Sequence, residues 1–356
     1  MRTPQGNFTV TYGTTQLGTT TPPTADTYFR IASNTKTMTA AIVLQLAQEG
    51  KLKLGDPISK YVAGVPNGDH ITIAQLLEMR SGLYNYSNDS KISDVMDRDQ
   101  TKVWTPDELL AIGFAHSPNV APGTAFEYSN TNYMLLGLVI EKVDGEPLHQ
   151  AMQDRLFGPL GLRHTMFPRS TVNAIPEPFS HGYLYGSAFN AVGAENPAYS
   201  TEVQAAARAG TLLPTDYTAV NHSFSGAAGG AISTADDLAT WIRDLVSGRV
   251  LDAAYQQRWL DSLRPEDPGK PDGQQYGYGI SEIRWSSNAM YFHGGETVGF
   301  NSFMGYDPKN DVALVVWTNL TLSLDGGITA NPIMLKVLDQ IYKVSPLPSP
   351  SPSTSP

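Results

Sequence analysis

Residues 30–36, Arg-Ile-Ala-Ser-Asn-Thr-Lys, open the first long helix that the sequence predicts. Strong helix formers follow from Thr37 to Glu49, and a glycine ends the run. Ser33 is therefore expected at a helix N-terminus, where free backbone N–H groups favour a developing negative charge. Lys36 comes three residues later, so its amine should lie on the same helix face, one turn from the hydroxyl. A serine beside a neutral lysine is an activated nucleophile.

The Ser-x-x-Lys spacing occurs once in the chain. By itself it also fits a helix cap, Ser33, followed by a solvated charge, Lys36. The choice between these interpretations depends on what the rest of the chain supplies.

The composition is that of a globular protein with room for a large core and two lobes. The chain has 356 residues, 41% of them apolar, and a formal net charge of -10. The negative charge and the lack of Lys/Arg clusters argue against a nucleic-acid partner, and no stretch is long and apolar enough to cross a bilayer. There is no cysteine, which excludes disulfides and thiolate chemistry. The histidines are scattered and form no His-Glu-x-x-His motif, so we expect no metal or other cofactor.

The sequences of the two chain ends suggest a cellular location for the protein. The first residues lack the apolar centre of a signal peptide. Residues 345–356 contain only Ser, Pro, Leu and Thr, which predicts a disordered tail. Because such tails are common on exported bacterial proteins, we expect a periplasmic or extracellular protein whose leader is absent from this chain.

The order of patterns predicts a mixed α/β (α+β) fold. Alternating residues at 7–12 predict a strand in a hairpin, and the last third of the chain is rich in strands up to a closing helix at 332–342. Strands at both ends around a helix-rich middle predict one sheet flanked by helices, with a mostly helical lobe inserted. The predicted units are a discontinuous sheet domain at 1–55 and 223–344, a helical lobe at 56–222, and the tail.

A second motif is Tyr128-Ser129-Asn130, on a predicted turn before an apolar helix. A tyrosine beside a lysine can pass the serine proton to a leaving group, and an asparagine two residues on can hold the lysine and a substrate amide. Tyr86-Ser87-Asn88 has the same spacing. We assign the role to Tyr128 because the following helix fixes its turn, and we expect Tyr86 at the rim of the pocket.

The third motif is His293-Gly294-Gly295, predicted to lie between two strands. Paired glycines let the backbone approach a ligand closely, and the histidine can supply a positive or hydrogen-bonding group. Alone, such a sequence is usually a turn.

Taken in order, the three motifs resemble those of the serine β-lactamase and penicillin-binding-protein superfamily. The similar branch contains class C β-lactamases, Streptomyces-type D-alanyl-D-alanine carboxypeptidases and family VIII carboxylesterases. The resemblance runs from about Tyr28 to Tyr342. It implies a β-lactamase/transpeptidase-like fold and a serine hydrolase that forms an acyl-enzyme.

The resemblance also implies roles for individual residues. Ser33 would attack a carbonyl, Lys36 and Tyr128 would share the general-base role, and Asn130 would hold Lys36 and the substrate. His293 would support Tyr128 electrostatically. Further residues are implied in the oxyanion hole or in substrate binding: the backbone N–H groups of Ser33 and Glu296, the adjoining Gly294 and Gly295, the pocket aromatic Phe224, and Tyr86.

The chain departs from the carboxypeptidase pattern where that enzyme binds a substrate carboxylate. Gly294 and Glu296 replace hydroxyl residues, and Ser281 stands about where an arginine is expected. Arg284 should lie on the opposite face of its strand. Because Glu296 would repel a carboxylate, it would suit a neutral ester or a substrate amine better.

Several functions therefore remain open. A carboxypeptidase-like peptidase or amidase and a carboxylesterase are the leading alternatives, followed by a class C-like β-lactamase. A non-catalytic penicillin-binding sensor is the alternative of another class, although such proteins typically lose the Ser or the Lys. No Gly-x-Ser-x-Gly motif occurs, which disfavours an α/β-hydrolase. The expected partner is a small-molecule or peptide substrate, and the oligomeric state stays unknown.

Overall fold

The computed structural model describes residues 1–194, 197–285 and 288–342. The tail predicted at 345–356 lies outside the described residues. The strands are β1 (Arg2–Thr3), β2 (Gly6–Asn7), β3 (Phe29–Arg30), β4 (Tyr183–Leu184), β5 (Thr215–Asp216), β6 (Ile232–Ser233), β7 (Arg264–Pro265), β8 (Gln275–Tyr276), β9 (Ser281–Trp285), β10 (Asn288–Thr297), β11 (Phe300–Asp307) and β12 (Val312–Thr318).

The α-helices are α1 (Thr35–Gln48), α2 (Ile73–Leu77), α3 (Ser90–Arg98), α4 (Pro106–Phe114), α5 (Asn130–Asp144), α6 (Leu148–Met152), α7 (Gly158–Leu160), α8 (Phe189–Val192), α9 (Thr201–Arg208), α10 (Gly226–Gly229), α11 (Ala235–Val246), α12 (Ala253–Asp261) and α13 (Ala330–Tyr342). Single 3₁₀ turns lie at Ala32–Asn34, Ile58–Lys60, Tyr86–Asn88 and His222–Phe224, and a π-helical turn at Gln153–Phe157 follows α6.

One antiparallel sheet forms the centre of the fold, with the order β2-β1-β12-β11-β10-β9-β8-β7. Its strand β1, from the start of the chain, pairs with β12 from near the end, with Arg2 opposite Ala313. The two ends of the chain therefore share one sheet around a helix-rich middle. The predicted α/β (α+β) fold class is confirmed.

Helices cover both faces of this sheet. On β11, Phe300 and Met304 join the main core with α1 and α11, whereas Phe303 packs with Met334 and Leu338 of α13. Because both faces are covered, every residue of β11 is buried. The sheet therefore gives rigid support to the neighbouring strand β10 and to the side chains on it.

Residues 56–222, predicted as a helical lobe, contain α2 to α9 and the short hairpin of β4 and β5. Helices α2, α4 and α6 pack around α5, and α5 packs against α1. This packing places the start of α5 beside the start of α1. The domain boundaries themselves stay a prediction.

Local signals explain where two lobe helices begin and end. Thr105 and Glu108 form a reciprocal capping box at the start of α4, and a proline occupies its first turn. Helix α5 ends at Gly145, whose φ of 81° suits a residue without a Cβ. Both boundaries agree with the sequence patterns.

The strand predicted at residues 7–12 is wrong. The N-terminal hairpin instead joins β1 and β2, with Arg2 opposite Asn7. Residues 8–12 are exposed and belong to no strand. Phe8 still exchanges backbone hydrogen bonds with Met1, at 2.8 and 2.9 Å, as the last pair of this hairpin. The alternation at residues 9–12 satisfies the strand period, but a strand forms only beside a partner strand, and residues 9–12 pair with no strand within the described ranges.

Candidate active site

Ser33 lies in a tight turn held between α1 and the sheet. The turn is the 3₁₀ segment Ala32–Asn34, and Ala32 has a φ of 48°. This left-handed conformation is strained for a residue with a Cβ, and such strain is typical of functional turns. Asn34 Nδ2 fixes the turn by donating to the Ile31 carbonyl and to Ser302 Oγ, both at 2.9 Å. Ser33 itself stays partly exposed.

Lys36 is fully buried beneath Ser33. Its Nζ lies 2.8 Å from Ser33 Oγ, 2.7 Å from Asn130 Oδ1 and 2.9 Å from the Ala228 carbonyl. No carboxylate pairs with it among the described residues. Burial without a counter-charge lowers the pKa of Lys36 well below its usual range, because desolvation penalises the ammonium. The amine can therefore be neutral, as a base must be.

Tyr128 approaches Ser33 from the loop that precedes α5. Its side chain interacts with that of Ser33, and Lys36 Nζ lies 4.8 Å from the centre of its ring. Burial is the main cause that raises the pKa of Tyr128 above its usual value, with Glu296 as a further contributor. The hydroxyl therefore keeps its proton, which suits a donor to a leaving group.

Asn130 stands at the first turn of α5 and links three parts of the site. Its Oδ1 accepts from Lys36, and its Nδ2 donates to Ser87 Oγ at 3.0 Å. Its backbone N–H donates to Asn85 Oδ1 at 2.9 Å. The structure therefore brings together Ser33, Lys36, Tyr128 and Asn130, which are 97 residues apart from first to last in the sequence.

Tyr86 does not lie at the rim of the pocket, as the sequence had suggested. It is fully buried, and its hydroxyl donates to the Phe224 carbonyl at 2.6 Å. Its neighbours in the same turn, Asn85 and Ser87, are the groups that contact Asn130. The second Tyr-Ser-Asn motif therefore supports the first, and its tyrosine is a structural residue. Phe224 is also buried and packs against His222, with ring centroids 5.3 Å apart.

His293 lies inside β10, not after the end of a strand as predicted. A strand forms here because residues 291–297 of β10 pair continuously with β11. The His293 Nδ1 lies 2.6 Å from the Gly294 carbonyl, and Nε2 lies 3.1 Å from the Tyr276 hydroxyl. Burial, followed by the nearby Lys36 charge, lowers the pKa of His293 to about 3. The ring is therefore a neutral hydrogen-bonding group, and it supplies no positive charge.

Tyr276 is the site residue that the sequence motifs missed. It is buried at the end of β8, between His293 and Tyr128, with the Tyr128 ring 6.5 Å away in an edge-on arrangement. The sequence offers only an alternation of tyrosine and glycine at residues 276–279, and this pattern is typical of an ordinary strand.

The two glycines after His293 have different surroundings. A Cβ at Gly295 would collide with the Ile31 carbonyl and would stand 2.6 Å from Ser302 Oγ. At Gly294, the nearest atom would be 3.9 Å away. Gly295 is therefore required for β10 to pack on the Ser33 turn, whereas Gly294 faces open space.

Glu296 follows on the same face of β10 as Gly294. Beyond Phe292, which pairs with Ser281, β10 has no paired neighbour on its β9 side within the described chain. Glu296 is partly exposed, and its carboxylate makes no hydrogen bond or ion pair with any described residue. Burial of the carboxyl raises its pKa to about 8.

The sequence predicted Ser281 in place of a carboxylate-binding arginine and Arg284 on the opposite face of the strand, and the structure places both residues accordingly. Ser281 is buried, and Arg284 lies on the other face of β9, exposed and 2.9 Å from Glu282. Across the described part of the chain, no group of three or more His, Asp or Glu side chains could hold a metal ion. No helix in the same ranges is long and apolar enough to span a bilayer.

The fold has the architecture of the serine β-lactamase and penicillin-binding-protein superfamily. A family model described as "Beta-lactamase" matches residues 5–339. The chain belongs to the Beta-lactamase family.

Two solved structures are similar to this chain over most of its length. A D-stereospecific amidohydrolase from Streptomyces sp. has 30% identity and a TM-score of 0.76, with 90% of this chain and 88% of that chain covered. A D-amino acid amidase from Ochrobactrum anthropi SV3 has 27% identity and a TM-score of 0.77, with coverage of 93% and 89%.

A curated relative, "Protein flp" of Staphylococcus aureus (strain MW2), is 30% identical over 305 residues. The match includes 83% of this chain and 53% of that protein, so the chain spans about half the length of the curated relatives it matches.

Proposed function

We propose that this protein is a serine amidohydrolase that forms an acyl-enzyme on Ser33 and hydrolyses amides of D-amino acids. The observation that carries the proposal is the buried Lys36 amine, 2.8 Å from Ser33 Oγ and without a carboxylate partner. A lysine in this state can accept the serine proton. A non-catalytic sensor has no use for it.

In the proposed acylation, Ser33 Oγ attacks the substrate carbonyl carbon while its proton passes to Lys36 Nζ. The tetrahedral intermediate then collapses, the carbon–nitrogen bond breaks, and Tyr128 gives its proton to the leaving nitrogen. Lys36 returns a proton to Tyr128 and is neutral again. Water attacks the Ser33 ester by the same route in reverse and releases the acid.

The developing oxyanion needs two donors. We assign these to the backbone N–H groups of Ser33 and Glu296, each worth on the order of 3 kcal/mol in the transition state. The close packing of Gly295 on the Ser33 turn supports this assignment, because it fixes the distance between the two backbone segments. Both donors belong to rigid elements, which limits reorganisation during the reaction.

The choice of amidase over carboxypeptidase rests on charge. A terminal carboxylate requires a cation, and Arg284 is turned away and occupied by Glu282. Instead of a cation, an unpaired carboxyl, Glu296, follows the glycine that packs on the Ser33 turn. The similarity to a D-stereospecific amidohydrolase and a D-amino acid amidase supports the same choice.

The test is Ser33-dependent turnover of D-alanine amide and L-alanine amide, with p-nitrophenyl acetate and a fluorescent penicillin as further acyl donors. We expect ammonia release from the D-amide, none from Ser33→Ala, and an acetyl adduct of Ser33 in the intact mass. Ester turnover without amide turnover would favour the carboxylesterase alternative. Activity that survives in Ser33→Ala would contradict the mechanism.

A further inference from the structure

The turn at Tyr86–Asn88 lies buried beside the first turn of α5. Asn85, which precedes the turn, and Ser87 within it are 2% and 4% exposed. The backbone N–H of Tyr86 donates to Thr131 Oγ1 of α5 at 3.2 Å, which joins the turn to the helix. The polar side chains of the turn are therefore held at fixed positions next to the site, where water cannot easily replace them.

Three hydrogen bonds link this turn to Asn130, and their directions follow from one another. The Asn130 backbone N–H can only donate, so the Asn85 side-chain atom 2.9 Å away must be the oxygen Oδ1. That oxygen carries no proton, so the Ser87 hydroxyl, 3.1 Å away, must be the donor of the bond between them. Ser87 Oγ then offers only lone pairs to the Asn130 amide, and the amide atom that contacts it at 3.0 Å must be Nδ2.

This order of donors decides which end of the Asn130 amide faces Lys36. With Nδ2 held by Ser87, the oxygen Oδ1 is turned to Lys36 Nζ, 2.7 Å away, and the Ala228 carbonyl lies 2.9 Å from the same nitrogen. A neutral amine has two N–H groups and one lone pair. The two oxygens can only accept, so they take both N–H groups, and the lone pair is left for Ser33 Oγ at 2.8 Å.

The opposite orientation of the Asn130 amide would be unproductive. Its Nδ2 would then donate to the Lys36 lone pair and withdraw that lone pair from Ser33. The two ends of an asparagine amide have nearly the same size and shape, so packing alone does not select one of them. The selection has to come from hydrogen bonds of fixed direction, and Ser87 supplies the one that the amide nitrogen needs.

We propose that Ser87 and Asn85 are positioning residues, which orient the Asn130 amide so that the Lys36 lone pair points at the Ser33 hydroxyl. This inference rests on the proposed function, because it assumes that Lys36 accepts the Ser33 proton. The proton moves from Ser33 Oγ to Lys36 Nζ as the bond from Oγ to the substrate carbon forms. Ser87 and Asn85 gain and lose no proton in this step.

Neutron diffraction from crystals of the deuterated wild-type protein tests the orientation without any substitution. We expect deuterium on Ser87 Oγ, directed at Asn85 Oδ1, and two deuterium atoms on the end of the Asn130 amide that faces Ser87. A Ser87 deuterium directed at Asn130, or an amide ND2 group that faces Lys36, would overturn the inference and leave the Ser33 mechanism standing.

Ser87→Ala tests the consequence for catalysis, because it removes the acceptor of Asn130 Nδ2 and allows the amide to turn over. We expect kcat/KM for p-nitrophenyl acetate to fall at least tenfold. Donation from Nδ2 to the Lys36 amine favours its neutral form, so the acid limb of the pH profile should also move to lower pH. A purely structural role predicts the opposite shift, because a gap at residue 87 would admit water that solvates the ammonium.

The acid limb reports on Lys36 because the neighbouring titratable groups do not differ between the two proteins. Tyr128 and Tyr133 have ring centres 4.8 and 5.6 Å from Nζ, and burial raises the pKa of both above the usual value. Burial lowers the pKa of His293 to about 3. Glu296, whose pKa burial raises to about 8, is present in the wild type and in the variant alike.

Ser93→Ala is the matched control, since Ser93 is a buried serine of α3 whose hydroxyl donates to the Ser90 carbonyl at 3.0 Å. It should keep the wild-type rate and pH profile. An equal loss in both variants, a Ser87→Ala rate within tenfold of the wild type, or an acid limb that stays or moves to higher pH would overturn the inference. Absence of Ser33-dependent turnover and of any Ser33 acyl adduct would overturn the proposed function, whatever the orientation of the amide.

Discussion

Gly295 on β10 lies against Asn34 in the turn that carries Ser33, so closely that a Cβ at position 295 would stand 2.7 Å from Asn34 Nδ2. This contact joins the backbone of the sheet to the turn that carries Ser33 through the side chain of Asn34. Asn34 Nδ2 already donates to Ser302 Oγ, which lies opposite Gly295 on β11. The spacing of the proposed oxyanion donors is therefore set by a backbone-to-side-chain contact.

Gly295→Ala should separate β10 from the Ser33 turn, because neither the Ile31 carbonyl nor Asn34 can move without breaking the hydrogen bond between them. We expect a loss of roughly 1–3 kcal/mol of stability by overpacking, and at least a hundredfold loss of kcat/KM. Urea denaturation and ester hydrolysis measure the two effects. Gly294→Ala is the control for stability, since its Cβ meets nothing closer than 3.9 Å. Equal destabilisation by both variants would contradict this account.

Lys36→Arg should abolish acylation although it keeps a basic side chain of similar length. Arginine has a pKa above about 12 and cannot serve as the base that the mechanism requires. We expect kcat/KM to fall by at least a thousandfold, measured with p-nitrophenyl acetate. Lys51→Arg, on the surface, serves as the control. Activity of Lys36→Arg within tenfold of the wild type would show that Lys36 acts only as a charge.

The pH dependence of the wild type follows from the same residue. Because burial lowers the pKa of Lys36, the amine is neutral above that value and charged below it. The rate should therefore fall toward acid pH and hold across neutral pH, where an ordinary lysine would still be protonated. Measurement of kcat/KM for a neutral ester from pH 4 to 9 checks this, and a rate that rises only near the usual lysine pKa would contradict it.

The sequence predicted those parts of the site that depend on local spacing. Ser33 and Lys36 are one helical turn apart in any helix, and Tyr128 and Asn130 precede an unmistakable apolar helix. The sequence could not show that His293 is neutral, because its pKa depends on burial by residues far away in the chain. Tyr276 was missed for a related reason: its role comes from the pairing of β8 with β9, which brings it next to His293.

In the N-terminal region, the sequence pattern predicted a strand that does not form. Alternation at residues 7–12 predicted a strand, whereas the hairpin forms at Arg2–Asn7. Periodicity describes which side chains could share a face, but strand formation requires backbone hydrogen bonds to a neighbour. Tyr86 was misplaced at the pocket rim because its burial comes from the contact with the Phe224 carbonyl, 138 residues away.

His293 should show no protonation between pH 5 and 8, because its pKa is lowered to about 3. Its contacts also predict the tautomer: Nδ1–H donates to the Gly294 carbonyl, and Nε2 accepts from the Tyr276 hydroxyl. Imidazole ¹⁵N shifts in NMR spectra measure both properties. The exposed His116 provides an internal comparison in the same sample. Protonation of His293 near pH 6.5 would instead support the hypothesis that His293 supplies a positive charge at the site.

Tyr276→Phe removes the donor to His293 Nε2 and leaves a buried nitrogen without a partner. We expect a loss of about 1–3 kcal/mol of stability, and a roughly tenfold fall in kcat because the His293 ring loses the hydroxyl that orients it. Tyr291→Phe, on the same sheet, is the control. A Tyr276→Phe variant with lower stability and unchanged kcat would make Tyr276 a purely structural residue.

The unpaired carboxyl of Glu296 should lower the stability of the folded protein as the pH rises. Its pKa is about 8 in the folded state and near 4.5 in an unfolded chain, so between these values the folded state binds more protons. Stability then falls with increasing pH through that window. Glu296→Gln, which cannot ionise, should match the wild type near pH 4.5 and become the more stable protein by pH 8–9. Urea denaturation at pH 5 and pH 9 measures this difference, with Glu202→Gln as the control. A difference that is the same at both pH values would mean that Glu296 is ionised throughout, as expected only if it has a cationic partner before substrate arrives.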